Sequence, residues 1–97
     1  MKQVDNFFIT VPVTFLREGK KFVAYTPALD LSTSGLTFAK VKKRFEEAVS
    51  LFVEECTERG TLDSALQDLG WKKVKARWEP PKVIAQTSEK VRVNFKV

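Results

Sequence analysis

Residues 37–60 read TFAKVKKRFEEAVSLFVEECTERG. Phe38, Val41, Phe45, Val49, Phe52 and Cys56 recur at spacings of three and four, the period of a helix with one buried face. Thr37 is placed to cap the start, its hydroxyl accepting from a backbone N–H of the first turn that has no partner within the helix. Gly60 suits the end, because glycine enters the left-handed conformation without a Cβ penalty. Lys42–Glu46, Lys43–Glu47 and Glu55–Arg59 stand four residues apart on the outer side. Such a helix would be roughly 33 Å long at 1.5 Å per residue, about the width of a small domain. Leu51 and Val53 fall off the main stripe, so the apolar face is broad, as for a helix laid on a sheet.

Before the helix, residues 7–16 alternate. Phe7, Ile9, Val11, Val13 and Phe15 fall on one face and Thr10 and Thr14 on the other, the period-two pattern of a half-buried strand. Pro12 has no N–H for a ladder, which puts the strand at an edge or bulges it. REGKK offers a turn at Gly19 and KFVAYT a second strand, so residues 7–26 read as a hairpin. Residues 27–35, PALDLSTSG, are rich in turn formers, with a short third strand expected at 32–34. After the helix, 61–69 reads as a second, shorter one with Thr61 as cap, Gly70 as stop and Leu62, Ala65, Leu66 and Leu69 as its apolar face.

Residues 71–79, WKKVKARWE, are expected to form one strand. Val74, Ala76 and Trp78 would face one way and Lys73, Lys75 and Arg77 the other, with Pro80 and Pro81 ending it. Residues 82–90 read as a strand start or a loop. A last strand is expected at 91–97, with Val91, Val93, Phe95 and Val97 opposite Arg92, Asn94 and Lys96. The order β-β-β-α-α-β-β predicts a single α+β domain over residues 1–97: an antiparallel sheet with the long helix on one face, a core over about 5–80 and a strand extension over 81–97. An alternating strand at a sheet edge invites pairing with another chain, so Val91, Val93, Phe95 and Val97 are the expected oligomer edge of a dimer or tetramer.

Bulk composition narrows the chemistry. Histidine is absent and cysteine occurs once, which removes the commonest general base and the usual zinc ligands. No cofactor or metal site is expected. Glu46, Glu47, Glu54, Glu55 and Glu58 share a solvated helical surface, whereas acid–base catalysis needs carboxylates in unlike environments. Asp30 reads as a turn-capping residue, with a ribonuclease-H-like hydrolase centred on it as the catalytic alternative. No apolar run approaches the ~20 residues that cross a bilayer, and MKQVDNFF lacks a signal-peptide layout, so a cytoplasmic protein is expected. The formal charge of +5 is uneven: +1 over residues 1–35, −2 over 36–70 and +6 over 71–97. Lys72, Lys73, Lys75 and Arg77, interleaved with Trp71 and Trp78, are candidate nucleic-acid contacts, combining phosphate neutralisation with stacking. A solvated basic strand is the plainer reading of the same residues.

The run FVAYTPALDLSTSG, a spacer, then RFEEAVSLFVEECTERGTL and LGW resembles the HicB family of antitoxins over roughly residues 10–80. The resemblance implies a partial ribonuclease-H-like fold without that enzyme's acidic cluster. It implies a non-catalytic protein that covers a small basic HicA-like ribonuclease toxin, and it implies dimers or larger oligomers. Typical members continue into a DNA-binding domain, for which the residues up to Val97 leave no room, so direct operator binding is not expected. A +5 chain is a poor electrostatic match for a basic toxin, and an orphan relative without a toxin is the other form this reading takes. Pro27, Leu29, Asp30, Ser32 and Ser34, in the irregular segment before the helix, are the expected partner contacts.

Overall fold

The helix caps fold as their side chains dictate. In a computed structural model, which describes residues 8–96, Thr37 Oγ1 accepts from the Lys40 N–H at 3.1 Å, and Gly60 takes φ 69°. Between them α1 runs Phe38–Arg59. The other elements are β1 (Thr14–Glu18), β2 (Lys21–Thr26), β3 (Leu31–Gly35), α2 (Leu62–Asp68), β4 (Lys72–Val74) and β5 (Arg77–Glu79). β1, β2 and β3 form an antiparallel sheet in chain order, and β4 pairs with β5 in a separate two-stranded sheet. This is an α+β fold.

The register sorts the sheet's two faces, because cross-strand partners share a face. Phe15, Ala24 and Thr33 align on the side of α1; Thr14, Tyr25 and Ser32, and next to them Leu16, Val23 and Ser34, align on the other. Ala24, Val41 and Phe45 are buried where α1 lies on the sheet. A second cluster, Ala28, Leu29, Leu66 and Trp71, joins the loop after β2 to α2 and the residue before β4. Val11, Leu31 and Val49 pack against both clusters, so the two form one continuous core. Gly35 sets the approach of α1: a Cβ there would lie 2.9 Å from the Val41 nitrogen, which only glycine avoids.

Four expectations need correction. The alternation over 9–15 does bury Val11 and Val13 partly, but pairing begins only at Thr14. Pro12, which has no N–H to give a ladder, lies in the unpaired stretch; Phe7, where the strand was to start, is outside the described residues. The third strand extends to 31–35, with Gly35 inside it.

Residues 71–79 do not make one strand. The chain reverses after Val74, with Lys75 at φ 59°, and β4 and β5 form a hairpin that pairs Lys73 with Trp78 and Val74 with Arg77. The alternation predicted for a continuous strand therefore breaks at the turn, and Val74 and Trp78 do not share a face. The same seven-element order is thus reached with different residues and with two sheets instead of one. Residues 91–96 have no strand structure; Val91, Val93 and Phe95 are exposed, and Val97 lies outside the described residues.

Candidate functional site

Among the described residues four surfaces bear on function. The loop between β2 and β3 is the first. The Asp30 N–H donates to the Pro27 carbonyl at 3.3 Å, closing a turn, and Asp30 takes φ 47°, a conformation that Asp tolerates better than most residues. Thr26, fully buried, accepts from the Ala28 N–H through Oγ1 at 3.3 Å. This pair of bonds directs Ala28 and Leu29 inward. Leu29, only 4% exposed, is therefore a core residue and not a surface contact; Pro27 and Asp30 stay outside. The Trp71 indole N–H donates to the Ala28 carbonyl at 2.7 Å and locks the loop to the chain after α2.

Tyr25 and Asp30 are linked across the loop, the phenol donating to Asp30 Oδ1 at 3.3 Å. Its pKa is raised above the ordinary 10.0, first by burial, then by the Asp30 charge and by the hydrogen bond, all of which favour the neutral phenol. Because the folded-state pKa is raised, the stabilisation is complete below the unfolded pKa and is lost as pH rises through the folded one. Tyr25 is the sole tyrosine. Its phenolate absorbance should therefore titrate with a midpoint above 10.0, and Asp30→Asn should move that midpoint down. An identical midpoint in both proteins would refute the coupling.

The second surface is the sheet face away from α1. Leu16, Val23 and Tyr25 make an apolar strip there, with Thr14, Ser32 and Ser34 around it. None of these side chains joins either core cluster; Leu16 is 49% exposed and Ser32 is exposed, while Thr14, Val23, Tyr25 and Ser34 are half-buried. Ser32 and Ser34 thus lie on an open sheet face, separated by the strand from Pro27 and Asp30 at its end. Gln86 Nε2 reaches Thr14 Oγ1 at 3.5 Å, bringing the C-terminal segment to the start of β1.

The third surface is the β4–β5 hairpin. Lys72, Lys73, Lys75 and Arg77 are all exposed on it, and Lys73 Nζ lies 5.7 Å from the Trp78 ring centroid. Trp71 is 4% exposed and committed to Ala28, so it offers no stacking surface. The fourth is where the β1–β2 turn meets the start of α1. Sequence reasoning missed it, since its residues come from two separated segments. The rings of Phe15 and Phe38 meet there at 4.8 Å, and the Arg17 guanidinium lies 5.7 Å from the Phe22 ring centroid.

Among the described residues no group of three or more His, Cys, Asp or Glu side chains is placed to hold a metal ion, and no helix is long and apolar enough to cross a membrane. Cys56 is a free, half-buried thiol. The class these features define is a small two-layer α+β domain, with one sheet face packed and the other open. No protein-family model, curated protein or solved structure matches the chain.

Proposed function

We propose that this domain is a HicB-like antitoxin acting without catalysis by binding a small ribonuclease toxin. The observation that carries the reading is the open sheet face, where Leu16, Val23 and Tyr25 form an apolar centre bordered by Thr14, Ser32 and Ser34. An apolar core with a polar rim is the anatomy of a protein–protein interface. The resemblance over residues 10–80 supplies the class of partner. Asp30 and Pro27 extend the surface at the loop end.

The test is affinity capture of the tagged full chain from its native lysate after nuclease treatment, beside a Val23→Arg variant. The expected result is a small basic protein that is recovered with the parent chain and lost with the variant. Expressed alone, that protein should cleave RNA and be inhibited by the domain. Recovery of no such protein, or recovery unaffected by Val23→Arg, would overturn the proposal.

A second reading, RNA binding through the β4–β5 hairpin, rests on the joint exposure of Lys72, Lys73, Lys75 and Arg77. It requires RNA in the untreated capture and a steep loss of that RNA with salt, as phosphate contacts release counterions.

A further inference from the structure

The fold gathers positive charge at one end of the molecule. β3 leads into α1 there: the Val41 backbone packs on Gly35, and Arg44 Nη1 donates to the Ser34 carbonyl at 3.0 Å. α1 therefore starts beside the β1–β2 turn and runs back toward the loop at the other end, where Phe52 packs against the cluster holding Ala28 and Leu29. Six exposed cations share the starting end: Arg17, Lys20 and Lys21 from the hairpin, and Lys40, Lys42 and Lys43 from the first turns of α1. Glu18 is the one carboxylate on the hairpin tip.

The placement works against the helix itself. α1 has no acidic residue in its first turn, and its glutamates, among them Glu54, Glu55 and Glu58, all follow the lysines. A cation at the positive end of a helix dipole is unfavourable, and Lys40 stands in the first turn with no acidic residue to offset it, whereas the last turn carries Arg59 beside Glu58. Fold stability alone would favour an acidic residue in that first turn, so the cations at this end are suited to an anion supplied from outside. Between the two cationic segments sit Phe15 and Phe38, 37% and 50% exposed, their rings tilted 53° to one another. Unpaired bases stack on such rings, whereas the bases of a duplex are already stacked.

We propose that this end of the domain binds single-stranded nucleic acid, with Arg17, Lys20, Lys21, Lys40, Lys42 and Lys43 along the phosphates and Phe15 and Phe38 against the bases. The site is distinct from the open sheet face and from the β4–β5 hairpin, which follows Trp71 at the other end of α1.

Fluorescence anisotropy of the full chain with a labelled oligoribonucleotide of about 12 nucleotides tests it, at two salt concentrations. Binding should weaken with salt, and the joint substitution Lys40→Glu and Lys43→Glu should reduce affinity by about tenfold or more. Lys40→Glu alone should melt at a higher temperature than the parent, because it removes the cation from the first turn and faces Arg44 one turn on, so weakened binding in that variant is not lost folding. Phe38→Ala should weaken the single strand by about tenfold while leaving a duplex of the same sequence unchanged. Lys72→Glu with Arg77→Glu, an equal change of charge on the β4–β5 hairpin, should bind as the parent does. Undiminished binding by the Lys40/Lys43 variant would overturn the site. So would loss of binding only in Lys73→Glu with Lys75→Glu, which would assign the RNA to the hairpin. Binding to phosphatidylserine-containing vesicles but not to RNA would overturn it in favour of a membrane surface. None of these outcomes bears on capture of a toxin in nuclease-treated lysate.

Discussion

Trp71→Ala is expected to lower the free energy of unfolding by about 3–5 kcal/mol, the usual loss for an aromatic side chain removed from a core. The indole is 4% exposed and packs with Ala28, Leu29 and Leu66, so its removal leaves a void between the loop after β2 and α2. It also strips the Ala28 carbonyl of its partner at 2.7 Å. Trp71→Phe separates the two effects. It keeps most of the ring volume and loses the donor, so it should cost about 1–3 kcal/mol, the penalty of an unsatisfied buried acceptor. Urea unfolding followed by far-ultraviolet circular dichroism measures both variants. Against a total stability of about 5–15 kcal/mol the alanine variant would be close to unfolded under mild conditions. A loss below about 1 kcal/mol would mean that the loop does not depend on this side chain.

Trp71 also shows where residue patterns stop being informative. Placed among lysines in WKKVKARWE, it reads as a stacking residue on a basic strand. What buries it is a bond to a carbonyl 43 residues earlier in the chain, which no local pattern encodes. The same holds for Lys75: residues 71–79 alternate well enough for one strand, and nothing at Val74 or Lys75 resembles the Asn-Gly or Gly-Gly of a tight hairpin turn. By contrast, α1 was legible almost to the residue. Its cap, its stripe and its terminating glycine are all local features, and each acts within a turn or two of itself.

The candidate surfaces divide in the same way. Ser32 and Ser34 were expected outside, and period-two alternation is enough to put them on one face. Leu29 was expected outside with them, and the turn closed by Thr26 and Asp30 carries it into the core instead. The cationic end was hidden by summing charge along the chain: residues 36–70 carry −2 overall, yet Lys40, Lys42, Lys43 and Arg44 precede every glutamate of the helix. Only the packing of α1 against Gly35 brings those lysines to the hairpin that holds Arg17, Lys20 and Lys21.

Phe38 and Phe45 stand seven residues apart on the same stripe of α1, and periodicity gives them equal weight. The structure does not. Phe45 is 6% exposed and packs with Ala24 and Val41, where the helix rests on the middle strand of the sheet. Phe38 is 50% exposed at the helix start, touching Phe15 on the edge strand. Phe45→Ala should therefore cost about 3–5 kcal/mol, since it opens a cavity between α1 and the three-stranded sheet. Phe38→Ala should cost about 1 kcal/mol or less, because most of its area is already in water and the aromatic pair contributes only about 0.5–1.5 kcal/mol beyond burial. Urea midpoints of the two variants, measured with unchanged m-values, give the comparison directly. Equal losses would mean that Phe38 belongs to the core as much as Phe45 does, and would remove it as an exposed stacking surface. A large loss for Phe45 alone would leave Phe38 as a ring the fold holds in place but does not need for its stability.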